Sequence, residues 1–262
     1  MAYELLLPFL FEWVQRKLDA RVQKRVGPPL LQPVYDFLKL LNKEVILPKK
    51  GWLLVVVVLF LVATDVLALF VALSQWSHRL VILLALFLVD IALKTFIAFE
   101  SKSPFTMQGA SRLAGMKMSL DPAFPLAFLA PAFLFGFDLP WPPAALVFFP
   151  VAFVAAMAEL ELPPFDVPTA ESEIAGGWKA ELSGALLGLT NYATQAKAVA
   201  VCALLASFFG SAWLLAKTLG VFIAISLVSV ALPRFQMDKV VRYLTALNII
   251  AMMEVVVSLS LS

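Results

Sequence analysis

Apolar residues in this chain fall in long unbroken runs, with polar residues confined to short stretches between them. Seven runs, at roughly 51–74, 79–100, 108–136, 141–159, 181–209, 211–232 and 240–261, approach or exceed the ~20 residues a helix needs to cross a bilayer. The fourth is marginal unless its helix continues into the polar stretch after it. Because the runs are continuous rather than alternating, they predict helices and not a membrane barrel. Residues 1–15 form a shorter apolar stretch with Glu4 and Glu12 near its ends, read as a short or tilted first helix. A cleavable signal peptide is disfavoured, since no basic segment precedes it and no small-residue cleavage site follows. The pattern predicts an all-α integral membrane protein of about eight transmembrane helices in a single polytopic domain, 1–262.

One further helix has a different period. After Pro33, a favourable helix start, Val34, Phe37, Leu38, Leu41 and Val45 recur on one face, and Asp36, Lys39 and Lys43 lie on the other. This amphipathic segment, about 33–46, is too short to span and is expected to lie along the membrane surface.

Composition agrees with a lipid-embedded chain: 62% hydrophobic, 15% charged, mean hydropathy +0.92. Cys202 and His78 stand alone among cysteines and histidines. They allow no internal disulfide and no His/Cys metal constellation, so any redox cofactor belongs to a partner. The net charge of +2 gives no sign of nucleic-acid binding, and none is expected. The placement of charge is more informative. Alternating the sides puts 15 of the 20 basic residues in loops at 16–50, 100–112, 159–180 and 233–242, whereas the opposite loops hold Arg79. By the positive-inside rule the first group is cytoplasmic and both termini lie outside.

Charge inside the spans is costly and needs a reason. Asp65, Asp90, Lys94, Glu100, Lys117, Asp121, Lys197, Lys217 and Glu254 all fall within apolar segments. Asp90 and Lys94 are spaced i, i+4, as are Lys117 and Asp121, so each pair can neutralise itself. Glu100, Lys217 and Glu254 lie near span ends and can snorkel. Asp65, centred in V-L-F-L-V-A-T-D-V-L-A-L-F, requires a polar interior or a proton. The densest group is A-E-L-E-L-P-P-F-D-V-P-T-A-E-S-E-I-A-G-G-W-K-A-E-L-S-G, residues 158–184. It carries Glu159, Glu161, Asp166, Glu171, Glu173 and Glu181 against one basic residue, Lys179. Carboxylates interleaved with lysines suit a proton or ion path. No nucleophile–base pair, phosphate loop or dinucleotide motif is present.

Residues 158–184 resemble, without a gap, the signature A-E-x-x-R-x-P-F-D-L-x-E-G-E-S-E-L-x-x-G-F-x-x-E-Y-S-G of the subunit 1 (H) family of respiratory complex I and its energy-converting hydrogenase relatives. Arg16–Glu44, S-P-F-T-M-Q-G-A-S-R at 103–112 and P-R-F-Q-M-D at 233–238 are also similar to that family. The resemblance implies eight spans, a surface helix, and a cofactor-free subunit of a multisubunit oxidoreductase with no complete active site of its own. It further implies docking of a peripheral iron–sulfur small subunit and a hydrogenase-like large subunit, with antiporter-like membrane subunits alongside and ferredoxin as donor. Fe–S clusters, and a NiFe centre where present, would sit in those partners. Glu159, Glu161, Glu171, Glu173 and Glu181 become coupling residues, continued inward by Asp65, Asp90, Lys94, Glu100 and Asp121. Arg16, Arg21, Arg25, Gly27, Pro28, Gln32, Asp36, Lys39, Lys43, Pro164, Phe165 and Asp166 become docking or loop-shaping residues. On this expectation Glu171→Gln or Glu173→Gln uncouples ion pumping without preventing assembly.

Departures place the chain within the family. Gly27-Pro28-Pro29 runs directly into Leu30 without the insert of complex I proteins, and Leu162 replaces an arginine associated with the quinone chamber. Thr169 stands for a glutamate, Leu182 for a tyrosine, Gln15 for a glutamate and Asp121 for a glutamate. These imply the membrane-bound [NiFe]-hydrogenase or sulfur-reductase branch. The alternatives are a quinone-site subunit of an NADH- or F420H2-dependent complex I, and a purely structural anchor.

Overall fold

The computed structural model describes residues 3–47, 51–74, 76, 78–120, 122–137, 141, 146–210 and 212–261. Asp121 and the side chain of Glu171 lie outside what is described. In chain order the helices are α1 (Leu7–Val22), α2 (Gln32–Leu41), α3 (Trp52–Leu73), α4 (Arg79–Ser101), α5 (Pro104–Leu120), α6 (Ala123–Phe135), α7 (Phe149–Glu159), α8 (Glu171–Ile174), α9 (Gly184–Ala206), α10 (Leu214–Ala231) and α11 (Met237–Leu261). No strand occurs among the described residues.

Six stretches are long and apolar enough to cross a membrane: α3, α4, α5 with α6, α9 with its 3-10 extension to Phe209, α10 and α11. Two expected spans are shorter. α7 has 11 residues, about 16 Å of rise. α1 has 16 and runs on through Arg16 and Arg21, well past the apolar stretch that ends near residue 15. The surface helix is shorter than its amphipathic pattern, because beyond Leu41 the chain is tied down elsewhere. There the N–H of Ile46 donates to Ser183 Oγ at 2.8 Å.

α9 is the central post. Its sequence is built from alanine, glycine and other small residues that allow backbones to approach, and it packs against α1, α2, α3 and α10. α11 is its opposite, leaving Ile249, Ile250, Met253, Val256 and Val257 on the outside. Such an outward apolar face fits the hydrocarbon of a bilayer.

The four loops grouped by charge meet at one end of the bundle. Ile46 bonds Ser183, Arg112 pairs with Glu173, Arg234 pairs with Asp166, and the Phe235 N–H donates to Pro164 O at 3.0 Å. The acidic segment is therefore no free loop. It folds into short 3-10 turns (Val167–Thr169 and Gly177–Lys179) around α8, and Phe165, Val167, Ile174 and Trp178 are buried. One glycine is obligatory here. Gly177 has φ +61°, and a Cβ on it would stand 1.9 Å from the Pro168 carbonyl oxygen. Gly177→Ala is expected to destabilise the fold by at least ~2 kcal/mol, on the order of left-handed backbone strain plus overpacking against Pro168. A thermal melt of the purified protein that matches wild type would contradict this.

Candidate functional site

The site begins with the way α7 ends. Its last turn closes through two backbone bonds, Glu161 N–H to Ala158 O and Leu162 N–H to Met157 O, both 3.2 Å. This is the pairing of a Schellman cap, whose left-handed position normally takes glycine. Here it is Glu161, at φ +54°. A non-glycine residue in that region carries a backbone cost of order 1 kcal/mol. The turn that imposes this cost sends Glu161 back into the bundle, two residues from Glu159.

Lysines from three other helices meet these carboxylates. Lys94 on α4 lies 3.0 Å from Glu161 Oε1 and 3.1 Å from Asp90 Oδ2, one turn earlier on the same helix. Lys197 on α9 donates to both Asp90 Oδ2 and Glu159 Oε1. Lys117 on α5 donates to Glu159 Oε2 at 2.6 Å and to the Glu159 carbonyl at 3.1 Å. The result is a linear chain of alternating sign: Glu161, Lys94, Asp90, Lys197, Glu159, Lys117. Every member is at most 8% exposed. Its outer end is capped by Trp178, whose indole N–H donates to Glu161 Oε2 at 3.2 Å while its ring lies 5.4 Å from Lys94 Nζ. Gly109 on α5 permits this seat, since a Cβ there would come within 2.6 Å of the Trp178 backbone nitrogen.

Desolvating a charge inside a protein costs several kcal/mol, recovered only where each ion is held by partners of opposite sign. The alternation meets that condition for all six. Asp65 on α3 does not share in it. It is 1% exposed, and its Oδ2 accepts no hydrogen bond among the described residues.

Outside the spans the field of the chain is felt at Glu161, Lys179 and Asp36. Burial opposes the charge of Glu161, but Lys94, Lys117 and Lys197 outweigh it and hold the carboxyl at about 2. Its contribution to stability is thus complete above the ordinary glutamate range and is lost only as pH falls through about 2. Burial pushes the Lys179 ammonium down to about 8, with Glu161 resisting the shift. Lys179 donates to Thr194 Oγ1 at 3.1 Å. Between about 8 and the unfolded value of 10.5, the unfolded chain binds more protons, so this group makes stability rise with pH. The rate of Lys179 acylation in the purified protein should therefore show a midpoint near pH 8, well below the 10.5 it takes in the denatured protein. A shared midpoint would count against it.

The other expected site residues are placed as follows. Glu173 is exposed and paired with Arg112 at 2.6 Å. Glu181 is exposed, and Glu100 is half-buried at the end of α4. Asp166 is gripped by Arg234 through two bonds of 2.7 and 2.6 Å. Phe165 meets the Phe235 ring edge-on, and Pro164 O accepts the Phe235 N–H. Arg16 joins α1 to α2 by pairing with Glu12 at 2.5 Å and Asp36 at 2.6 Å; Gln32 adds a bond to Asp36 at 2.9 Å. The Arg16 bond holds the Asp36 carboxyl below its usual range. Gly27 O and Pro28 O receive Lys17 and the Trp13 indole N–H. Arg21, Arg25, Lys39 and Lys43 are exposed. Of the expected coupling set, then, Glu159, Glu161, Asp90 and Lys94 come together, with Asp65 beside them.

Lys117, Lys197 and Trp178 complete the chain, although the family resemblance does not single them out for coupling. Both lysines are visible in the sequence as charges in apolar runs, but their partners lie 42 and 38 residues or more away. Among the described residues no three His, Cys, Asp or Glu side chains are grouped to hold a metal.

A family model described as NADH dehydrogenase matches residues 1–259. The chain is 30% identical to the H-subunit of NADH-quinone oxidoreductase from Dehalococcoides mccartyi strain CBDB1, over 89% of this chain and 76% of the relative. It is 27% identical to the H-subunit of F(420)H(2) dehydrogenase from Methanosarcina mazei, over 87% and 81%. Its fold is similar to a chain of the membrane-bound sulfane sulfur reductase (MBS), an archaeal respiratory membrane complex. That match has a TM-score of 0.83 at 22% identity and covers 98% of this chain and 96% of the other.

Proposed function

The chain belongs to the NADH dehydrogenase family of complex I-type membrane subunits, and we propose that it couples electron transfer in a ferredoxin-linked parent complex to ion translocation. One observation carries this reading. The six-membered charge chain starts under the acidic segment at Glu161 and Trp178 and leads into mid-bundle at Asp90 and Lys197. A structural anchor has no need of five buried lysine–carboxylate contacts that hydrophobic packing could replace without loss.

In this reading α1 and α7 bring the crossings to eight, and the loop end of the bundle faces the cytoplasm with both termini outside. The iron–sulfur small subunit and hydrogenase-like large subunit dock on that end, against Arg21, Arg25, Lys39, Lys43, Glu173 and Glu181. They carry the Fe–S clusters, and a NiFe centre if the parent is a hydrogenase; antiporter-like subunits receive the coupling in the membrane.

The parent is of the hydrogenase or sulfur-reductase type. Leu162 replaces the quinone-associated arginine, and Phe9, Phe37 and Tyr192 close together between α1, α2 and α9. The space left there is a cavity of about 40 Å³, far below the ~300 Å³ of a small-molecule pocket. The name of the Dehalococcoides relative, an NADH-quinone oxidoreductase subunit, favours a second reading, a quinone-reducing complex, in which this gap would open to admit the headgroup.

The test is Glu161→Gln in the whole complex. In inside-out vesicles, electron transfer should persist while ion translocation per electron falls about tenfold, a loss equal to ~1.4 kcal/mol of coupling. An unchanged ratio would sink the coupling role. Nickel in the purified complex would identify the hydrogenase type.

A further inference from the structure

The alternating chain is electrically complete, with three carboxylates held by three lysines. Asp65 is a fourth carboxyl, buried on α3, which packs against α4 and α9, the helices that carry Asp90, Lys94 and Lys197. It stands fourteenth of the 22 residues of α3, and Asp90 twelfth of the 23 of α4, so both are mid-span. Each carries one buried oxygen, Asp65 Oδ2 and Asp90 Oδ1, with no hydrogen bond among the described residues. Two orphaned acceptors in one dry site are costly, and two carboxylates in one site do not both ionise.

A single proton removes both difficulties. We propose that Asp65 and Asp90 form a proton-sharing carboxyl pair, with Asp65 Oδ2–H donating toward Asp90 Oδ1 directly or through one water. With that proton in place the seven groups sum to zero and both orphaned oxygens are bonded. Release breaks the Asp65 O–H bond, passes the proton to water and leaves the enclosure at −1; no electrons move. The new negative charge beside Asp90 draws Lys197, which already touches both Asp90 and Glu159, toward the pair. Loosening Lys197 from Glu159 is then the event that the rest of the chain registers. This deepens the coupling reading and rests on it for the use of the proton, though not for the existence of the pair.

The experiment is infrared difference spectroscopy of the intact complex in native membranes, wild type minus Asp65→Asn, in H2O and D2O. The expected result is one protonated-carboxyl band, sensitive to D2O, that is present in wild type and lost in Asp65→Asn but kept in Glu173→Gln. Asp65→Asn should assemble at the wild-type level, since its amide can also donate to Asp90. Loss of an ionised-carboxylate band instead, no change in either band, or failure of Asp65→Asn to assemble would each overturn the pair. The spectrum reads the proton whatever the pumping ratio does. Failure of the pair and failure of the coupling role in Glu161→Gln are therefore separate results.

Discussion

Exchanging Lys197 for methionine is expected to cost the folded chain about 3–5 kcal/mol, the range for removing one partner of a buried ion pair. Lys197 is the only member of the six that touches carboxylates on two other helices, Asp90 on α4 and Glu159 on α7. Without it three buried carboxylates share two lysines, and the apolar surroundings offer no substitute: Phe87 lies under the ammonium, 5.6 Å from its ring centroid. Methionine fills much the same volume, so the loss is electrostatic and not a cavity effect. Combining Lys197→Met with Glu159→Gln removes the excess charge and should recover most of the stability. The yield and melting temperature of the solubilised complex measure both. A single variant as stable as wild type, or a double variant no better than the single, would contradict the pairing.

Much of the architecture could be read from the chain because membrane helices announce themselves as continuous apolar runs. Features set by tertiary contact could not. α1 continues through Arg16 because that residue finds Glu12 and Asp36, not because its local sequence turns apolar. The surface helix stops at Leu41 because Ile46 is held by Ser183, 137 residues away. The acidic stretch stands out as misplaced charge, but its internal division does not. Glu161 turns inward through a cap position where glycine is the usual residue, and nothing in its neighbours signals that choice. Glu173, two positions from a helix start, meets Arg112 at the rim instead. Local spacing correctly joins Asp90 to Lys94. It joins Lys117 to Asp121, which lies outside the described residues, whereas the partner seen is Glu159 on α7. Pairing rules along one helix are blind to partners on another.

That division decides which carboxylate to test. Glu159 sits between Lys197 and Lys117, and its side chain is 2% exposed. Glu173, with 54% side-chain exposure, is an outer ion pair, and such pairs contribute about 0–1 kcal/mol. Glu159→Gln preserves shape and hydrogen bonding but removes the one charge that joins the two lysines. The measurement is the number of ions translocated per electron in inside-out vesicles carrying the complete complex, with Glu173→Gln as the comparison. If the buried chain couples the two processes, Glu159→Gln keeps electron transfer and lowers that ratio at least tenfold, while Glu173→Gln stays near wild type. A wild-type ratio in Glu159→Gln, or an equal loss in both variants, would contradict the account.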